Sequence, residues 1–230
     1  EELNKKLGQA IFEKLWVFAP ASTKSSDGRG PLYNARSCHQ CHDPSKEDKM
    51  HIPASLVIQL SIEPDSYSED SKKTLKQTGF IPEPIYGKQL QTFTYPVAKA
   101  EAEISLTYKE VNITFPDGEI VRLYDPEYYF SNLGYGELNR NIRFSPRIAP
   151  RMKELVWIES ISDQYILSHA DPDDKDADGI SGKINWVWDS IFQTSKIGRF
   201  GWKATKASLE QQNLSALSTD IGISSWLFPD

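Results

Sequence analysis

Both cysteines of the chain fall inside one five-residue stretch, Cys38-His39-Gln40-Cys41-His42, in the arrangement C-x-x-C-H. Two thiols at this spacing, followed directly by an imidazole, suit covalent attachment of a porphyrin. Each thiol adds to one vinyl group, and the next residue, His42, reaches the iron. A chain that carries such a group must wrap a flat macrocycle as well as its own side chains. With this motif and the helical stretches and hairpin read below, the expected fold is mainly α-helical: a cytochrome c-like haem domain with a β-hairpin and loop insertion.

Three other uses of the motif stay open at this level. A thioredoxin-type dithiol expects C-x-x-C at a helix N-terminus within a βαβ pattern, and none surrounds Cys38. A structural zinc site would need one ligand besides Cys38, Cys41 and His42, with His39 or His51 available to supply it. A disulfide across C-x-x-C would be strained. If haem is bound, His39 is expected to face solvent, and Met50, His51, Met152 and His169 are the candidates for the opposite side of the iron.

Residues 3–18 place Leu3, Leu7, Ala10, Ile11, Leu15 and Phe18 at helical spacing, which predicts an amphipathic helix ended by Pro20. Residues 61–103, rich in Pro, Ser, Lys and Glu, read as loop. Alternation at Ile104, Leu106, Tyr108 and again at Val111, Ile113, Phe115, followed by Asp117-Gly118, predicts a β-hairpin. The insertion so defined spans about 61–135 of a single domain covering 1–230. Helices are predicted over 150–160 and 162–170, the second capped by Ser162. A last helix begins at Ser208, whose relation to Gln211 has the capping-box form, and runs to about Ser218. On it Leu209, Gln212 and Ala216 share a face, so Gln212 is a polar group on an apolar side.

The stretch DPDDKDADGISGKIN sets Asp174, Asp176 and Asp178 at alternate positions, with Gly179 and then the Ile180 carbonyl. This matches the first half of a calcium loop, with hard oxygen ligands and a glycine for the sharp turn. Asn185 stands where such a loop has a bidentate Glu, so a solvated acidic turn is the competing reading.

Charge excludes some partners. Lys and Arg number 26 against 32 Asp and Glu, a net charge of −6, so no basic surface advertises nucleic acid or an anionic membrane. No apolar run is long enough to span a bilayer. The chain opens on Glu1 without Met and stops on Pro229-Asp230, which suggests a trimmed start and a longer parent protein.

The segments LGQAIF, GPLYNARSCHQCH, EPIYGKQLQ, SPRIAP, DADGISGKIN and RFGWKATKASLEQQ, in that order, resemble the di-haem oxidoreductase family, also labelled thiol oxidoreductases. That family is related to bacterial di-haem cytochrome c peroxidases and MauG. The resemblance implies a periplasmic or exported protein with two C-x-x-C-H motifs, of which this chain would be the N-terminal haem domain. A second haem domain would lie C-terminal to it, and a periplasmic electron donor would supply it. The resemblance points to Gln212 and Asp220 as catalytic groups near haem, to Arg147 as a propionate partner, and to Trp202 as a relay between haems. The distal histidine of the peroxidases has no counterpart, since YGELNRNIRFSPR lacks His.

The sequence thus supports a peroxidase-like di-haem oxidoreductase domain with one covalent haem c and a calcium candidate. A pure electron-transfer cytochrome module and a non-redox binding module held by zinc or calcium are the alternatives.

Overall fold

A computed structural model describes residues 2–43, 53 and 55–229; Met50 and His51 lie outside the described residues. The fold is not mainly α: 25% of it is helix and 28% strand, with the helices short. The elements are α1 (Glu2–Glu13), β1 (Leu32–Tyr33), α2 (Cys38–His42), β2 (Leu56–Ile62), α3 (Glu69–Thr78), β3 (Phe93–Thr94), β4 (Glu103–Thr114), β5 (Ile120–Ser131), β6 (Ile142–Ile148), α4 (Leu155–Ser160), α5 (Asp163–Ser168), β7 (Trp186–Asp189), β8 (Thr194–Ile197) and α6 (Leu209–Ala216).

The helices shrink because the backbone finds other partners. α1 stops at Glu13, not Phe18, because the next residues bond across the chain: Trp16 N–H to the Arg36 carbonyl at 2.8 Å and Val17 N–H to Ser26 at 2.9 Å. Ala19 then precedes Pro20, a position biased away from helix. The α1 stripe is left in the open, with Leu3, Leu7, Ile11 and Leu15 all more than half exposed. The predicted helix over 150–160 forms only as α4, after an irregular stretch. The one over 162–170 forms as α5, with the Ser162 hydroxyl accepting from Tyr165 N–H as expected.

The strand content comes from four two-stranded antiparallel ribbons: β1–β3, β2–β6, β4–β5 and β7–β8. β2, LVIQLSI, alternates apolar residues and buries Ile58 and Leu60; it pairs with β6 from Leu56↔Ile148 to Ile62↔Ile142. The predicted hairpin forms as β4–β5 in continuous register from Glu103↔Ser131 to Thr114↔Ile120. Gly118 turns it at a positive φ of 89°, and the Asp117 carboxylate accepts from Glu119 N–H. The loop-like 61–103 stretch holds the end of β2, the β3 pairing and α3, which is capped by Ser68 and closed by Gly79 at φ 81°.

The core sits where these ribbons meet. Ile58, Leu60, Tyr86, Leu90 and Ala102 are buried together, and Ile104, Tyr128 and Phe130 from the base of the hairpin pack on them. The segment carrying Leu90 is stitched to β2 by Leu60 N–H to Lys88 and Leu90 N–H to Ile58. This packing brings residues 86–91, remote in sequence, beside the C-terminal segment.

α6 passes into a single π-helical turn, Leu217–Ile221, ended by Gly222 in the left-handed conformation. π-turns inside helices are frequent at functional positions. Gly222 has φ 76°, and a Cβ there would come 2.6 Å from the Leu32 carbonyl oxygen, so only glycine fits.

Candidate functional site

The C-x-x-C-H residues form α2 itself. Ser37, buried, caps the helix by accepting from Gln40 N–H at 3.2 Å, which fixes the first turn and the direction of both cysteine side chains. Burial, and to a lesser degree the Asp220 carboxylate, pushes the Cys38 thiol up, a backbone hydrogen bond partly offsetting it. The Cys41 thiol is pushed up to about 12 by burial, then by Asp220 and Cys38. Both sulfurs therefore stay protonated at neutral pH, the opposite of the depressed thiolate that thioredoxin-type chemistry uses.

His42 is oriented from far along the chain. Its Nδ1 lies 2.6 Å from the Pro150 carbonyl oxygen. A carbonyl only accepts, so Nδ1 carries the proton and Nε2 presents its lone pair, the tautomer required of a metal-ligating imidazole. Pro150 is available for this because it follows the end of β6, past the ladder that occupies the other carbonyls. A cavity of about 280 Å³ lies alongside, lined by Cys41, His42, Ile148, Ala149, Pro150, Arg151 and Trp202. Trp202 is held on its rim by an Nε1–H bond to the Ile148 carbonyl at 2.9 Å.

Asp220 sits on the π-turn. Its backbone carbonyl accepts from Asn34 and Ala35 N–H at 2.8 and 2.9 Å, which ties the turn to the strand leading into α2. Burial pushes its carboxyl up, opposed by the Gln89 hydrogen bond and by the nearby Lys88 charge. Lys88, itself held down to about 8 by burial and by Lys206, is a cation of the same neighbourhood.

The other expected residues divide. Gln212 is half-buried, with its Oε1 3.4 Å from where a Cβ of Gly201 would stand, beside Trp202. The buried polar group of α6 is its neighbour Gln211, which donates to the Trp188 carbonyl at 3.0 Å and accepts from Ala207 N–H. The helix turns its inner face along Gln211 and Ser215, one position away from the stripe read at Leu209, Gln212 and Ala216. Arg147 lies on β6 with its Nε bonded to the Ser145 hydroxyl, while Arg151 lines the cavity. His39 is partly exposed and pairs with Asp43 at 3.3 Å, as expected of a residue turned to solvent. Neither Met152 nor His169 lines the cavity; His169 Nδ1 binds the Tyr165 carbonyl.

In the acidic loop, Asp171, Asp174 and Asp176 bring carboxylate oxygens within 4.8 Å of one another. Asp171 went unnoticed in the sequence because it precedes the alternating run; the bridge between Asp171 and Gly182 folds it back over the loop. Asp178 instead accepts from Ile180 N–H at 2.8 Å, and Ile180 is 71% exposed. Among the described residues, the cysteines and histidines join no such ligand cluster.

Two half-buried thiols, one imidazole whose Nδ1 is committed to a carbonyl, and an adjoining cavity make a donor set that fits haem, as in a haem redox protein. The family comparison agrees: a family described as "Di-haem oxidoreductase, putative peroxidase" matches residues 1–230, and the chain belongs to that family. No curated protein and no solved structure matches it.

Proposed function

We propose that the chain is the peroxide-reacting haem unit of a periplasmic di-haem oxidoreductase. In this reading Cys38 and Cys41 hold haem c through thioether bonds and His42 Nε2 ligates the iron. The observation that carries it is the Pro150 carbonyl on His42 Nδ1, which commits one ring nitrogen and presents the other. Bound there, haem supplies a redox couple and an iron able to bind an oxidant.

Reduction of hydrogen peroxide to two waters consumes two electrons and two protons, so the protein must manage protons beside the haem. Asp220, whose carboxyl is pushed up by burial and lies among Cys38, Cys41 and His42, is suited to hold one. Gln212, half-buried near Gly201 and outside the cavity lining, is assigned the orienting of the oxidant on the family resemblance alone. Trp202 on the cavity rim is the route for electrons from a second haem domain, itself supplied by a periplasmic donor. Arg147 or Arg151 would pair with the propionates. The periplasm follows from the assembly of haem c outside the cytoplasm. Calcium at Asp171, Asp174 and Asp176 completes the proposed cofactors.

Expression with haem c maturation machinery tests the proposal. A Soret band, a pyridine haemochrome that survives acid extraction and consumption of peroxide by reduced protein are expected. A covalent haem whose ferric form binds neither cyanide nor peroxide would make the chain an electron-transfer module. Bare thiols in matured material would overturn the haem reading and leave a metal-stabilised binding module.

A further inference from the structure

The EPIYGKQLQ stretch, unexplained by the haem motif itself, supplies two amides to the π-turn. Gln89 is 5% exposed, and its Nε2–H donates to Asp220 Oδ1 at 2.7 Å and, more weakly, to the Thr219 carbonyl at 3.3 Å. Gln91 donates to the same Thr219 carbonyl at 2.7 Å and accepts from Asn34 Nδ2 at 3.1 Å. Asn34 also donates to the Leu90 carbonyl and accepts from Thr92 N–H. The two glutamines alternate along an extended segment, so both side chains reach the same side. Leu90, completely buried between them, anchors that segment in the core. One network thus joins the core, the strand entering α2 and the Asp220 carboxylate.

We propose that Gln89 is a positioning residue for Asp220, fixing its carboxylate against the haem-binding turn while Gln91 fixes the backbone beneath it. The assignment rests on the functional reading above. A neutral amide suits the task. It holds one carboxylate oxygen in a defined direction and leaves the other for a proton, whereas a lysine in the same place would neutralise the group. The rigid anchor matters because a carboxylate that is to hold and hand on a proton must be kept in one place.

A double-mutant cycle on the haem-loaded protein tests this, with Gln89→Met, which keeps volume and removes the donor, and Asp220→Asn. Q89M is expected to slow the reaction with hydrogen peroxide by about tenfold or more and to displace the haem reduction potential. Both effects should vanish in the D220N background, because Gln89 acts through Asp220. Equal effects of Q89M in both backgrounds, or wild-type rate and potential in Q89M, would overturn the assignment. If matured wild-type protein lacks haem, the haemochrome reports failure of the functional reading by itself. The same cycle read by urea unfolding then decides the pair: coupling supports Gln89 as the anchor of Asp220, and additivity overturns it.

Discussion

The Nδ1 atom of His42 stands 2.6 Å from the carbonyl oxygen of Pro150, a partner 108 residues further along the chain. This contact couples the haem motif to the end of β6, so ligand geometry depends on a ribbon remote in sequence. His42→Gly is therefore expected to keep covalently attached haem but lose proximal ligation, and added imidazole should restore the ligated Soret spectrum. A variant with an unchanged spectrum before imidazole is added would remove His42 from the iron.

Gly222 predicts a steric dependence of the π-turn. Its φ of 76° and the 2.6 Å approach of the Leu32 carbonyl exclude any Cβ. Gly222→Ala should cost about 2–4 kcal/mol, combining left-handed strain with a backbone clash. Because Asp220 lies two residues before it, the same substitution should lower peroxide reactivity in whatever protein still folds. Denaturant unfolding with unchanged slope m measures the first effect.

Glu101 sets a pH dependence. It is 8% exposed, and its carboxyl is raised from 4.5 to about 7, first by burial and then by the Glu83 charge, with the Gln91 N–H opposing. The folded state therefore holds a proton that the unfolded state releases near its ordinary value. The favourable contribution is fully present below about pH 4.5 and is lost as pH rises through about 7. The contribution is on the order of 1–3 kcal/mol. Stability measured from pH 5 to 8 should fall in wild type more steeply than in Glu101→Gln; parallel curves would exclude Glu101 as the cause.

How far the sequence disclosed this arrangement depended on the range of the interaction. The hairpin with its Asp117-Gly118 turn and the Ser162 and Ser208 caps are local, set by spacing within a few residues, and the structure reproduces them. The mainly α expectation failed where the chain pairs with distant partners. Trp16 and Val17 leave helical geometry to bond Arg36 and Ser26, and β2 meets β6 across some eighty residues. β2 went unread: LVIQLSI carries alternating apolar residues, but no turn signal joins it to a mate. Asp220 and Gln212 came from family resemblance. Gln89, Gln91 and Pro150 act through contacts more than a hundred residues apart, which no local pattern encodes.

The acidic loop gives the remaining prediction. Three carboxylates lie within 4.8 Å of one another, held in part by backbone N–H groups, and an ion bound there should stabilise the fold. Calcium loops of exported modules bind in the range of about 0.1–1 mM. At tenfold excess over such a constant, the gain is about 1.4 kcal/mol, readable as a rise in Tm. Asp171→Asn and Asp174→Asn should each abolish the rise. Asp178→Asn should spare most of it, because that carboxylate stands outside the trio. A Tm unmoved by millimolar calcium would reduce the loop to a solvated turn. A loss in D178N equal to that in D174N would restore the ligand set that the alternating aspartates suggested.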